Sequence, residues 1–127
     1  MLKIDNLYAG YGKVEVLHGI SMHVPKGQVV TLIGSNGAGK TTTMRAISGM
    51  IAPSAGDILL AGQPIGGLEP FHIAKRGLAH SPEGRRVFAT MTVADNLLLG
   101  AFPRLTGSRP KGDVKGDLSA RWSCFRA

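Results

Sequence analysis

The chain has 127 residues, 43% of them apolar, which supports a packed core and argues against general disorder. Its net charge of +7 is uneven: residues 1–100 hold nine Lys/Arg against six Asp/Glu (+3), and residues 101–127 hold six against two (+4). No apolar run approaches the roughly 20 residues of a membrane-spanning helix, and the start lacks a secretory pattern, so the expected location is the cytosol, with any membrane link made through a partner. The single cysteine, Cys124, excludes an internal disulfide and a multi-cysteine metal site. The basic tail reads as a solvated end rather than a specific nucleic-acid surface.

Taken in chain order, Leu2 to Tyr8 alternates loosely as a strand, and Gly10, Tyr11 and Gly12 mark a turn. Val14 to Val24 reads as a second strand, closed by the turn Pro25-Lys26-Gly27, and two strands so joined suggest an antiparallel sheet. Gln28 to Ile33 is an apolar, β-branched run, the pattern of a strand buried on both faces. After a glycine-rich loop, Lys40 to Ser48 is helix-compatible, with Met44, Ala46 and Ile47 for an inward face and Gly49 as the stop. Pro53 to Gly56 is a turn, Asp57 to Ala61 a short strand, and Gly62 to Gly67 turn-rich. Pro70 to Arg76 suits a short helix started by its proline and ended by Gly77. Leu78 to Ser81 reads as a strand, and Thr92 to Leu99 as a helix capped by Thr92. Residues 103–115 have the Gly, Pro, Ser and Lys/Arg composition of a linker, which places the expected boundary between a domain of residues 1–102 and a tail of residues 103–127.

The loop carries the chemistry. Gly34-Ser35-Asn36-Gly37-Ala38-Gly39-Lys40-Thr41-Thr42 fits G-x-x-x-x-G-K-[ST]. Glycines let the backbone adopt conformations closed to other residues, so that amide N–H groups converge on phosphates. The helix after the loop adds its positive end. Lys40 is expected to reach the β- and γ-phosphates of ATP, and Thr41 to ligate Mg²⁺. A chance match is the alternative in a chain with 18 glycines; an apolar strand before the loop and a helix after it argue against chance. Tyr11 sits between two strands upstream of the loop, where it either stacks on a purine base or packs a turn.

With these residues in view, the chain resembles the ATP-binding subunits of ABC transporters. The resemblance makes Tyr11 the adenine-stacking aromatic, Gly34 to Thr42 the Walker A loop, and Pro53-Ser54-Ala55-Gly56-Asp57-Ile58 followed by Gly62 the hairpin after the first helix. A narrower likeness runs through Pro82-Glu83-Gly84-Arg85-Arg86-Val87-Phe88 and Met91-Thr92-Val93-Ala94-Asp95-Asn96-Leu97, which look like the ATP-binding subunits of branched-chain amino-acid importers. Most of the wider family has glutamine after that proline, touching Mg²⁺ and the attacking water; here the position is Glu83, as is common in the importer subfamily, and the resemblance implies a metal contact there. It also implies an α/β fold: an N-terminal antiparallel β-subdomain plus the start of a parallel-sheet nucleotide core, a partial P-loop NTPase cassette with one core face uncovered. The implied partners are membrane-spanning permease subunits and a second ATP-binding subunit, on the inner face of the membrane.

A full cassette is about twice this length. The family's signature, its strand-end aspartate with adjacent glutamate, and its switch histidine have no counterpart in these residues; Leu118-Ser119-Ala120 lacks the signature's glycines. His18, His23, His72 and His80 have no metal-like spacing. Residues 121–127 resemble nothing in the family. Back-translated with one choice of synonymous codons and read from the last base of the Ala120 codon, they encode Ala-Leu-Glu-Leu-Phe-Pro-Arg, similar to what the subfamily carries. A frameshift near residues 119–120 followed by an early stop is therefore expected, the alternative being a natural tail whose shifted reading is accidental. The function read from the sequence is ATP binding without hydrolysis by part of an importer ATPase. Two rivals are a P-loop kinase, with Arg85 and Arg86 as its only acceptor-site pair, and a basic nucleic-acid-binding module, which would need interleaved aromatics.

Overall fold

The computed structural model describes residues 1–84, 86–102, 114, 116 and 117. They fall into two compact units, Met1–His80 and Ser81–Ala127. The tail expected over residues 103–127, including Cys124, Leu118-Ser119-Ala120 and residues 121–127, lies outside the described residues except at 114, 116 and 117, and so does Arg85.

The first unit is built on a four-stranded sheet of order β2-β1-β3-β4, with β1 Leu2–Tyr11, β2 Val14–Val24, β3 Ala55–Leu60 and β4 Gln63–Pro64. All three pairings are antiparallel. β1 runs past the expected end at Tyr8, and the turn is the two-residue loop Gly12-Lys13, with Tyr11 paired to Val14. The loose alternation of β1 has a cause. Ile4 is buried on one parity, Leu7 and Ala9 on the other, and the register shifts between Ile4 and Leu7. Asn6 sits there at φ 48, its amide donating to Ser21 Oγ at 2.8 Å. A side chain's face flips with every residue, so a bulge of one residue swaps the parity and lets all three apolar residues face one core.

That core joins Ile4, Leu7, Ala9, Leu17, Ile58, Leu60 and Ile65 to Ala46 and Ile47 of helix α1 (Lys40–Ile47) and Ile73 of helix α2 (Pro70–Lys75). In α1 the buried residues are Thr42, Thr43, Ala46 and Ile47. Met44, expected inward, is 46% exposed: at 100° per residue it lies well away from the 43/46/47 stripe. Gly49 ends the helix as expected, at φ 76; a Cβ there would meet Leu68 O at 2.5 Å.

Two expected strands do not form. Gln28–Ile33 has no ladder partner among the described strands, and Val29 and Ile33 are 95% and 90% exposed. Residues 78–81 likewise carry no strand assignment. Apolar β-branched residues favour a strand only through the neighbours they pack and pair with. The fold is thus the expected α/β class with an N-terminal antiparallel sheet, while the segment that would open a parallel core runs unpaired.

In the second unit, helix α3 is Val93–Gly100, and Thr92 caps it as expected, accepting from the Asp95 amide. Asn96 fastens the preceding loop, accepting from Phe88 N at 2.9 Å and donating to Phe88 O at 3.1 Å. None of the α3 side chains is buried. Among the described residues no helix is long and apolar enough to cross a membrane.

Candidate functional site, a phosphate-binding loop

Residues 34–42 lie wholly in the first unit and lead from the extended segment into α1. Asn36 and Gly37 form a tight turn in which the Ala38 amide donates to Ser35 O at 3.2 Å. Gly37 has φ 88 and Gly39 φ 85, a left-handed backbone costly for other L-residues. Their surroundings differ: nothing lies within 4 Å of where a Cβ on Gly37 would be, whereas one on Gly39 would meet Leu17 Cδ2 at 2.7 Å. Gly37 therefore leaves its approach open, and Gly39 lets the loop sit down on β2.

The start of α1 is open to an anion. Gly39 is its N-cap, no side chain caps it, and its first turn holds no acidic residue. The Thr43 amide donates to Gly39 O at 2.8 Å. The amides of Lys40, Thr41 and Thr42 precede it and, as at any helix start, have no intrahelical carbonyl to reach. Lys40 folds back over the loop, its Nζ donating to Gly34 O and Ser35 O, each at 2.6 Å. An ammonium has three donors, so two fix the head inside the loop and one remains for a phosphate oxygen.

The three threonines divide by face. Thr42 and Thr43 are buried, at 6% and 1% exposure, with Thr43 Oγ1 donating to Gly39 O at 3.0 Å. Thr41 is exposed in the first turn. A hard divalent cation takes oxygen ligands, with phosphates supplying most of them in sites of this kind. A lone outward hydroxyl beside the amide cradle fits Mg²⁺ in that role, and among the described residues no group of three or more His, Cys, Asp or Glu could hold a metal by itself. Glu83 belongs to the second unit, where it is exposed and its carbonyl accepts from Arg86 Nε at 3.4 Å.

Tyr11 ends β1 and is 44% exposed. Its hydroxyl accepts from Arg45 Nη1 at 2.8 Å. Hydrogen bonding by the Thr42 hydroxyl, and then by Arg45, holds the phenol below its ordinary pKa. The structure thus ties Tyr11 to the helix that carries the loop. Arg45 was not visible as a site residue in the sequence, where the two positions are 34 residues apart and no local pattern links them.

A family model described as ABC transporter matches residues 17–123. The chain belongs to that family. It is 43% identical over 102 residues to the high-affinity branched-chain amino acid transport ATP-binding protein BraG of Pseudomonas aeruginosa, covering 80% of this chain and 44% of that protein. It is 31% identical to the probable branched-chain amino acid transport ATP-binding protein LivF of Archaeoglobus fulgidus, covering 98% and 51%. It is 36% identical to the arabinose import ATP-binding protein AraG 1 of Burkholderia ambifaria, covering 94% and 24%. The chain therefore spans about half or less of the length of these relatives. A solved structure of an ATP binding subunit of an ABC transporter matches with a TM-score of 0.73 at 30% identity, over 85% of this chain and 44% of that one.

Proposed function

We propose that this chain supplies the phosphate-binding part of an ATP-binding subunit of an ABC importer for branched-chain amino acids. The observation that carries the reading is the uncapped start of α1, with Gly37 and Gly39 in left-handed conformations and the Lys40 head held in the loop. Three donors converge there: helix amides, the nest of loop amides and an ammonium. In this reading Gly34, Ser35, Asn36, Gly37, Ala38 and Gly39 wrap the phosphates, Lys40 binds the β- and γ-oxygens, and Thr42 orders the first turn. Thr41 would hold Mg²⁺, whose contribution when bound would be to neutralise phosphate charge. Tyr11 stacks on the adenine.

The branched-chain substrate is supported by the likeness to BraG and LivF, and by the run from Pro82 to Leu97 that resembles that subfamily. The partners would be permease subunits and a second ATP-binding subunit, with the pair held at the cytoplasmic face of the membrane. A polypeptide of only these 127 residues would bind MgATP without turning it over, since it holds no carboxylate pair to polarise water. A sugar importer is the second reading, favoured by the arabinose relative. Calorimetric titration tests nucleotide binding: saturable, Mg²⁺-dependent ATP binding is expected. Phosphate transfer to a nucleoside monophosphate would favour a kinase instead, and salt-sensitive nucleic-acid binding without ATP binding would favour a basic module.

A further inference from the structure

Arg45 lies near the end of α1, three residues past buried Thr42. A cation there is ordinarily accounted for by the negative end of the helix. Its head instead reaches the tip of the β1–β2 hairpin, where Nη1 donates to the Tyr11 hydroxyl at 2.8 Å and the guanidinium carbon lies over the ring, 5.9 Å from its centroid. Tyr11 is half-exposed and is followed by the two-residue loop Gly12-Lys13. The hydroxyl at the far end of the ring is held from α1 twice, by the Thr42 hydroxyl and by Arg45, and of the two only Arg45 also reaches over the ring.

We propose that Arg45 is a positioning residue for nucleotide binding, holding the Tyr11 ring in one orientation as a stacking platform for a purine base. The proposal rests on the reading of the loop as a nucleotide site. The donor comes from α1, the same helix whose start receives the phosphates. Base platform and phosphate cradle are therefore fixed to one rigid element, which sets their separation before any ligand arrives. A stacking surface ordered in advance spares the complex the entropy of ordering it. Arginine suits the role better than lysine, because its planar fork holds a defined direction.

The test compares ATP with inorganic tripolyphosphate, which has the phosphates and no base, on the full 127-residue chain with Mg²⁺. Arg45→Met keeps the alkyl stem and removes the donor. It should weaken ATP by about threefold to tenfold relative to tripolyphosphate, the range for the net worth of one ordinary hydrogen bond at a half-exposed site. Arg45→Lys should recover part of that loss. Tyr11→Phe removes the acceptor and keeps the ring under the guanidinium, so adding Arg45→Met to Tyr11→Phe should cost clearly less than Arg45→Met does in the wild-type background. Equal losses for the two ligands, or an undiminished effect of Arg45→Met in the Tyr11→Phe background, would overturn the proposal. Two further results separate it from the reading beneath it. If Tyr11→Ala selectively weakens ATP and Arg45→Met does not, the platform stands and the role of Arg45 falls. If neither ligand binds, or binding ignores Lys40→Ala, the nucleotide site itself falls.

Discussion

Gly37 and Gly39 provide a matched pair for separating backbone strain from steric fit. Both have φ near 85–88°, so alanine at either position incurs the left-handed cost of about 1–2 kcal/mol. At Gly37 that is the whole effect, since an added methyl meets nothing within 4 Å. At Gly39 the methyl comes within 2.7 Å of Leu17 Cδ2, and Leu17 is 1% exposed. It has no solvent to swing into, and forced repacking of a filled core adds about 1–3 kcal/mol. Gly39→Ala should therefore destabilise the first unit by about 2–5 kcal/mol, against a total stability of about 4–12 kcal/mol for a unit of this size. Urea unfolding followed by far-ultraviolet circular dichroism measures the difference between the two variants. Equal midpoints for Gly37→Ala and Gly39→Ala would refute the packing argument, and a wild-type midpoint for both would refute the left-handed geometry itself.

Other predictions follow from single features. Val29→Lys should leave the unfolding midpoint within about 0.5 kcal/mol of wild type, as for an exposed site, because Val29 is 95% exposed; a loss of several kcal/mol would mean that residues 28–33 form a buried strand after all. Thr41→Ala should reduce the gain in ATP affinity produced by Mg²⁺ while sparing metal-free binding, read by titration with and without the ion. The 127-residue polypeptide should release phosphate from ATP far more slowly than about 1 s⁻¹, a modest enzyme rate; turnover at that rate would contradict binding without hydrolysis.

The loop was legible because its chemistry is local: nine consecutive residues dictate the turn, the helix start and the ammonium. Helix α3 was legible for the same reason, since Thr92 bonds three residues ahead. The hairpin was legible from its turn, but its length was not, because Gly10 looks like punctuation and serves instead in the strand, where a Cβ would collide with Val14 O. The segment Gln28–Ile33 misled because a strand's identity depends on its neighbours and not on its own residues. Met44 misled through a composition argument that ignored helical phase. The Tyr11–Arg45 bond was beyond sequence reading: it needs the hairpin tip and α1 brought together by the core.

Lys40→Ala tests the central claim most directly. Nζ donates at 2.6 Å to two loop carbonyls, and in the proposed complex it meets the phosphates as a charge-assisted donor worth about 1.5–3 kcal/mol. Titrating MgATP into wild type and variant should show saturable binding weakened by about tenfold or more in Lys40→Ala, with the circular dichroism spectrum unchanged. The same affinity in both proteins would mean that residues 34–42 are not where this chain holds its nucleotide.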